Sequence, residues 1–139
     1  MKASAIRYII DAGPLVGALS RCDQWHARSA GVIATLDEPG FSTEVVFGEA
    51  CHLLKFERTA MHALIRQVAE RRLNLIPIWE VHGTRAAELL AAYPQMDAGD
   101  ASLVVLSEQF PKARIITTDV RDFTVYRRFR HEPLPRIHP

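Results

Sequence analysis

The sequence predicts an α/β sandwich with a mainly parallel central sheet. Short runs rich in β-branched residues alternate along the chain with longer segments whose apolar residues recur at helical spacing, and this alternation is typical of parallel α/β proteins. The first run, residues 6–10, is short, rich in β-branched residues and mostly apolar, as expected for a strand that is buried on both faces. With 139 residues, the chain is expected to form one domain, residues 1–139, around a single core.

In the first half of the chain, two strands alternate with three helical segments. The first strand ends at the turn Asp11–Pro14, and Pro14 suits the first turn of the helix that follows. Pro39-Gly40 ends the second helix, and the third helix carries its apolar residues at helical spacing. In chain order, the elements are a strand at 6–10, helices at 15–19 and 24–36, a strand near 41–42 and a helix at 43–56.

The second half of the chain continues the alternation. The residues after Asp100 are almost all apolar, so the helix that they form must be buried. The proline-rich tail is expected to carry one edge strand. In chain order, the elements are a helix at 60–71, a strand at 73–78, helices at 81–92 and 100–109, a strand at 114–117, a helix at 122–129 and the edge strand near 134–137.

Composition excludes several classes of protein. Hydrophobic residues make up 48% and charged residues 24%, with a net charge of +1, as in an ordinary globular protein. Residues 112–139 are more basic, with seven Lys/Arg against three acids. Cys22 and Cys51 match no metal-ligand spacing and imply no disulfide framework. With neither a membrane-length apolar run nor a signal sequence, the expected location is the cytoplasm, with no membrane partner.

Four carboxylates occur where a metal site would need them. Asp11 and Asp119 each close an apolar strand run, Asp100 opens a helix, and Glu49 lies within another. Ligands bind at the carboxyl ends of the strands in an open parallel sheet, and Mg²⁺ prefers oxygen ligands. The sequence therefore suggests a divalent-metal site. Simpler interpretations remain open, because Asp11 and Asp119 are also suitable helix N-caps and a lone Glu49 is commonly just solvated.

Other polar residues near these acids have candidate supporting roles. The hydroxyl of Thr117 or Thr118 is suited to orienting a neighbouring carboxylate, as metal ligands usually require. Asp97 precedes Asp100 by three positions, and Gly99 suggests that the helix begins near Asp100. This start favours Asp97 as a cap or a loop acid, and the alternative that it is a substitute or auxiliary ligand stays open.

Other kinds of site fit the sequence less well. It has no glycine-rich phosphate loop, and its six histidines form no group that would activate a nucleophile. A receiver-like phospho-acceptor module is the alternative from another class. It would need an early acidic pair, an Asp after the third strand and a late Lys, whereas the strand at 73–78 ends without Asp and Lys112 precedes its strand.

Four segments resemble the motifs of the PIN-domain ribonucleases, in particular the VapC-like toxins of prokaryotic toxin–antitoxin pairs. In chain order they are Ile9–Val16, Glu44–Ala50, Asp100–Val104 and Thr117–Phe123. The resemblance implies a PIN-like three-layer α/β/α sandwich, a divalent-metal site, RNA cleavage and inhibition by a cognate antitoxin. It also implies that the acidic site consists of Asp11, Glu49, Asp100 and Asp119. Asp97 departs from the family pattern as an additional acid, and the auxiliary candidates are Asp97, Thr117, Thr118 and Asp122.

The function expected from this resemblance is that of a Mg²⁺- or Mn²⁺-dependent endoribonuclease toxin. Asp11 and Asp100 are expected to hold the principal ion, with Asp119 and Glu49 completing the site or holding a second ion. The metal would activate a water for attack on phosphorus. The alternatives are a PIN-like domain that binds RNA or a protein without cleaving, and a nuclease that acts outside a toxin–antitoxin system.

The expected partners are an RNA substrate, a cognate antitoxin and a second copy of the chain in a homodimer. Arg127, Arg128 and Arg130 are candidates for contacts with the RNA backbone, although they also fit a solvated helix face. The helices at 43–56 and 60–71 are expected to form the partner surface, because they carry more apolar side chains than a small domain buries on one face. These residues are Phe47, Leu54, Phe56, Met61 and Leu64, and for each of them a place in the core is the open alternative.

Overall fold

The computed structural model describes residues 6–139, which form one sheet of five strands together with seven α-helices. The strands are β1 (Tyr8–Ile10), β2 (Gly40–Thr43), β3 (Leu73–Ile76), β4 (Arg114–Ile116) and β5 (Arg136–Ile137). The helices are α1 (Ala12–Leu19), α2 (His26–Ala34), α3 (Glu44–Leu53), α4 (Arg58–Ala69), α5 (Trp79–Ala92), α6 (Ala98–Gln109) and α7 (Val120–Val125).

The strand order is β3-β2-β1-β4-β5, and each neighbouring pair is parallel. The chain builds the sheet outward from β1 to β3 and then returns to the other side of β1 for β4 and β5. Because crossovers between parallel strands are right-handed, this reversal puts the later helices on the opposite face from the earlier ones. The predicted three-layer α/β/α sandwich is therefore confirmed, including the edge strand in the proline-rich tail.

The core lies on both faces of the central strands. Ile9, Ile115 and Ile116 are fully buried, as expected for strands covered by helices on both sides. In α6, every residue from Ala101 to Ser107 is buried, which explains why its sequence is apolar around the whole helix rather than on one stripe. This helix packs across β1, β2 and β4, and its first turn therefore lies close to the carboxyl ends of these strands.

The predicted helix at 122–129 is wrong at its C-terminal end. Helix α7 ends at Val125, and Tyr126 adopts an extended backbone. From there the chain folds back on itself, because Arg127 forms a bridge to Pro133 and a short 3₁₀ turn, Phe129–His131, follows. The predicted strand at 73–78 is also too long, since it ends at Ile76 before Pro77, which has no N–H to donate to the sheet.

The predicted apolar partner surface is also largely wrong. Phe47, Leu54 and Leu64 belong to the core, because α3 packs on β2 and β3 and α4 packs on β3. Met61 is partly buried against the same core, whereas Phe56, in the turn between the two helices, is 88% exposed. Four of the five side chains that had been expected to face a partner therefore pack in or against the core, and only Phe56 is exposed.

Within residues 6–139, no helix is both long and apolar enough to span a membrane.

Candidate metal centre

The parallel register of β1 and β4 brings the predicted acids to one edge of the sheet. Ile10 lies opposite Ile116, so Asp11 and the segment that leads to Asp119 leave the sheet side by side. Helix α3 packs against α6, and this contact adds Glu49 and Asp100 to the same region. The structure therefore brings the four predicted acids to the carboxyl edge, although they differ in how closely they approach one another.

Asp11 is held by two hydrogen bonds. Its Oδ1 accepts from the N–H of Ala12 at 2.7 Å, and its Oδ2 accepts from the hydroxyl of Thr117 at 2.7 Å. Burial raises the pKa of Asp11, while these two hydrogen bonds lower it and the charges of Asp119 and Asp97 raise it further. The N-cap interpretation and the metal-site interpretation are thus compatible, because the carboxylate that caps α1 also lies beside other acids.

The threonines that follow β4 support this edge of the sheet. The hydroxyl of Thr117, besides donating to Asp11, accepts from the N–H of Asp119 at 3.0 Å. Thr118 lies against Gly13, where a Cβ would be only 2.3 Å from the Thr118 hydroxyl oxygen. The turn after β1 therefore packs on the turn after β4 at a distance that requires glycine.

The tightest group of acids consists of Asp100, Asp119 and Asp122. One carboxylate oxygen from each residue lies within 4.8 Å of those of the other two. Asp119 caps α7, and its Oδ1 accepts from the N–H of Asp122 at 2.9 Å. Asp122 was only an auxiliary candidate in the sequence. The sequence signal for its larger part was its position three residues after the helix cap Asp119, because this spacing puts the carboxylates of Asp119 and Asp122 at the start of the same helix.

The environment of Asp100 raises the pKa of its carboxyl group. Partial burial raises its pKa to about 7, with further contributions from the charges of Asp97, Asp11 and Asp119. A hydrogen bond from the hydroxyl of Tyr126 to Oδ2 at 2.7 Å acts in the opposite direction. Carboxylates that repel one another in this way are in the electrostatic setting that a bound cation relieves.

Asp97 and Glu49 extend the acidic region toward α3. Asp97 is an exposed N-cap of α6, and its Oδ1 accepts from the N–H of Asp100 at 2.8 Å, as expected for a cap. Glu49 is also exposed but lies beside the same turn, since a Cβ on Gly99 would be 3.4 Å from both Glu49 Oε2 and Asp97 Oδ1. Partial desolvation raises the pKa of Glu49, and the charges of Asp97 and Asp11 add to the effect.

The predicted basic rim needs a correction at Arg128. This side chain is buried, and its Nη1 donates to the carbonyl and hydroxyl oxygens of Ser107 and to the carbonyl of Pro111. Its Nη2 pairs with Glu132 at 3.1 Å. Arg128 therefore holds the C-terminal segment to α6 and is not presented to RNA, because the segment leaves the helical path after Val125.

The other two arginines of the predicted rim differ from each other. Arg127 is half-buried, and its Nη1 donates to the carbonyls of Thr124, Val125 and Tyr126. Arg130 is exposed in the 3₁₀ turn. Neither residue lies in an α-helix, since α7 ends at Val125. The alternative that these arginines form a solvated helix face is therefore wrong.

Two residues near the acids were not identified from the sequence. Tyr126 contacts Asp100, as described above, and the imidazole Nδ1 of His138 donates to the carbonyl of Thr117 at 3.0 Å. The N–H of Thr117 donates to the carbonyl of Ile137 at 3.1 Å, so the next backbone donor along the parallel pair would come from Pro139, which has no N–H. The His138 side chain supplies a donor to the Thr117 carbonyl instead. No local pattern marks either residue, because both contacts join distant parts of the chain.

The donor set fits a hard divalent cation. The three clustered side chains and the adjacent Asp11 offer only carboxylate oxygens, which suit Mg²⁺ and Mn²⁺ and disfavour metals that require nitrogen or sulfur. The neighbouring hydroxyls of Thr117 and Tyr126 orient two of these carboxylates, as is usual around a metal.

Comparison with known proteins agrees with this fold. Similar solved structures include Mycobacterium tuberculosis VapC20, described as a sarcin-ricin loop cleaving toxin (TM-score 0.70, 14% identity, 78% of this chain and 86% of that one). A second is a toxin–antitoxin complex from Klebsiella pneumoniae, with a TM-score of 0.65 and 15% identity over 85% of this chain and 91% of that one. A third is VapBC2 from Rickettsia felis bound to a promoter DNA fragment, with a TM-score of 0.64 and 12% identity over 96% of this chain and 98% of that one. At these identities the likeness concerns the fold alone.

None of the curated protein sequences matches this chain. A family model described as the PIN domain, however, matches residues 8–128, which is most of its length. The matched range contains β1 to β4 and the six acids of the sheet edge, which are Asp11, Glu49, Asp97, Asp100, Asp119 and Asp122. The chain therefore belongs to the PIN domain family.

Proposed function

We propose that this protein is a Mg²⁺- or Mn²⁺-dependent endoribonuclease and the toxin of a toxin–antitoxin pair. The observation that carries the proposal is the approach of Asp100, Asp119 and Asp122 to within 4.8 Å, with Asp11 beside them at the carboxyl edge of a PIN-domain sheet. The fold neighbours support the assignment, because one is described as a sarcin-ricin loop cleaving toxin and another as a toxin–antitoxin complex.

In this proposal, Asp100, Asp119, Asp122 and Asp11 hold the principal ion. Asp122 takes a larger part than the sequence suggested, because it belongs to the tightest group of acids. Glu49, with Asp97 next to it, completes the site on the side of α3 or holds a second ion. Thr117 and Tyr126 keep the Asp11 and Asp100 carboxylates in a fixed orientation.

The chemistry requires little else from the protein. When bound, the cation supplies a Lewis acid and lowers the pKa of a coordinated water, so no protein nucleophile is needed. Without it, the carboxylates repel an RNA phosphate, since two like charges ~4 Å apart cost about 4 kcal/mol at an effective dielectric near 20. RNA is therefore expected to reach the centre only in the metal-loaded protein.

RNA contacts outside the centre are assigned to the exposed Arg130, with a smaller part for the half-buried Arg127. Arg128 is left out because its guanidinium is used inside the protein. A substrate of cellular RNA implies that the protein acts in the cytoplasm.

An apolar groove supports the assignment of an antitoxin partner. It has a volume of about 560 Å³ and lies between α1, α2, α4 and the start of β2. Its partly exposed apolar residues include Leu19, Ile33 and Leu36. A groove of this kind accepts the anchor side chains of an amphipathic helix, and we assign it to a helical segment of the antitoxin.

The homodimer is assigned to a different surface, around the turn between α3 and α4. Leu53, Phe56 and Ile65 are exposed there, although the core residues of the same helices are not. Exposed apolar residues close together commonly mark a protein interface. Light scattering of the purified chain and of a Phe56→Ser variant tests this assignment, and a monomeric wild-type protein would contradict it.

The decisive experiment compares RNA cleavage by the purified protein in Mg²⁺ or Mn²⁺, in excess EDTA, and after Asp100→Asn substitution. We expect cleavage only in the metal-loaded wild-type protein. Undiminished cleavage in EDTA would contradict the metal mechanism, and RNA binding without cleavage in any metal would identify a non-cleaving PIN domain.

The toxin role requires a separate experiment in cells. Expression of the chain alone should arrest growth, and co-expression with the protein encoded by the adjacent reading frame should restore growth and yield a stable complex. If growth is normal and no complex forms, the protein is a nuclease that acts outside a toxin–antitoxin system.

A further inference from the structure

Tyr126 contacts both helices that supply the clustered acids. Its side chain is fully buried, and its hydroxyl donates to Oδ2 of Asp100, near the start of α6, at 2.7 Å. Its backbone N–H donates to the carbonyl of Asp122, in α7, at 3.0 Å. A single residue thus connects the acid of α6 to the helix that carries Asp119 and Asp122.

The position of this hydroxyl is determined by aromatic packing. The ring of Tyr126 makes edge-to-face contacts with Tyr93, at 5.2 Å between centroids, and with Phe123, at 5.3 Å. Packing of this kind holds a ring in one place and orientation. The phenol oxygen therefore has a fixed position. Through its hydrogen bond, the ring packed in the core holds the Asp100 carboxylate in place.

Without the hydrogen bond from Tyr126, the Asp100 carboxylate would move away from the other acids of the cluster. The charges of Asp97, Asp11 and Asp119 all act on Asp100, and an aspartate near the surface turns easily about its side-chain bonds. A hydrogen bond from a rigid donor opposes this rotation and also offsets part of the negative charge. In its absence, the carboxylate is free to turn away from Asp119 and Asp122.

We propose that Tyr126 is a positioning residue for the metal centre, which holds the Asp100 carboxylate at the spacing from Asp119 and Asp122 that binds one divalent cation. This inference rests on the proposed metal-dependent function. Tyr126 is buried and is not one of the acids. In this proposal it increases the affinity of the centre for the cation, and this effect is separate from its contribution to core packing.

Tyr93 provides a matched control within the same aromatic group. Its ring packs on Tyr126, but its hydroxyl accepts from the backbone N–H of Arg127 at 3.1 Å, and within residues 6–139 it has no hydrogen bond to a carboxylate. Tyr93→Phe and Tyr126→Phe each remove one hydroxyl and one hydrogen bond while keeping the ring. Only the second change releases Asp100.

The test measures Mn²⁺ affinity by calorimetry on the full chain at one pH, with melting temperatures recorded in EDTA. We expect Tyr126→Phe to weaken Mn²⁺ binding roughly tenfold to hundredfold, the usual effect of losing a residue that orients a metal ligand. Tyr93→Phe should bind like the wild type. Tyr126→Phe should add no further loss to Asp100→Asn, and excess Mn²⁺ should restore RNA cleavage to the Tyr126→Phe protein.

Two results would overturn the inference. One is a Tyr126→Phe protein that binds Mn²⁺ as tightly as the wild type. The other is a Tyr93→Phe protein that loses as much Mn²⁺ affinity as Tyr126→Phe. Either result would mean that Tyr126 contributes only to core packing. A wild-type protein that binds no divalent cation would instead overturn the proposed function together with this inference. The wild-type titration therefore distinguishes the two failures.

Discussion

The hydroxyl of Thr117 lies 2.7 Å from Oδ2 of Asp11, so the residue after β4 holds the carboxylate that follows β1. The same hydroxyl accepts from the N–H of Asp119. One buried side chain thus connects the ends of two neighbouring strands at the point where the acids meet. This relationship makes Thr117 a test of how far the geometry of the centre depends on its supporting residues.

Replacing Thr117 by valine keeps the shape of the side chain and removes the hydroxyl. We expect metal affinity or RNA cleavage to fall roughly tenfold to hundredfold, because Asp11 and Asp119 both lose an orienting contact. Thr117→Ser should restore most of the activity. Thr124→Val is the matched control, since that exposed hydroxyl donates to the carbonyl of Val120 in its own helix and not to an acid of the centre. Equal activity in Thr117→Val and Thr124→Val would contradict the proposed role.

The acids should differ in their importance for cleavage. Asp11→Asn and Asp100→Asn are expected to abolish it without unfolding the protein, and Asp122→Asn is expected to be severe because of its place in the cluster. Asp97→Asn should have a small effect, since asparagine is an equally good N-cap for α6. Cleavage rates and melting temperatures measure these differences. A loss at Asp97 as complete as that at Asp100 would identify Asp97 as a ligand.

The raised pKa of Asp100, about 7, predicts a pH-dependent stability in EDTA. Between pH about 4 and 7, the folded protein keeps a proton that the unfolded chain releases, so the contribution of Asp100 to the free energy of unfolding falls as pH rises through this range. Asp11 and Glu49, whose pKa values are also raised, act in the same direction. The melting temperature of Asp100→Asn should therefore depend less on pH than that of the wild type. Identical pH profiles would refute this assignment.

Arg128 and Arg130 should give opposite results when replaced by alanine. Arg128→Ala removes a buried guanidinium bonded to Ser107 and Pro111, and we expect a loss of about 2 kcal/mol or more in the free energy of unfolding. Arg130→Ala should leave stability unchanged and weaken RNA binding. Urea unfolding and RNA titration at fixed salt measure the two effects. Normal stability in Arg128→Ala would mean that its contacts to Ser107 and Pro111 contribute little.

The fold and part of the site were predictable because their signals are local. A short β-branched run followed by Asp11, and a second one followed by Asp119, identify strands and their carboxyl ends without knowledge of any distant residue. The apolar residues after Asp100 likewise indicate a buried helix. The acids at the sheet edge follow from these elements, since parallel strands end on the same side.

Contacts between distant residues were decided only by the tertiary structure. Thr117 and Asp11 are 106 positions apart, and Tyr126 and Asp100 are 26 apart, yet each pair shares a hydrogen bond. Arginine is usually found at the protein surface, but Arg128 is buried because the chain leaves α7 at Tyr126 and folds against α6. Periodicity and residue type determined the elements of this protein and the ends where its acids lie. The pairing of β1 with β4 and the packing of α6 against the segment after β4 determined which polar side chains hold those acids, because they set the distances between residues far apart in the chain.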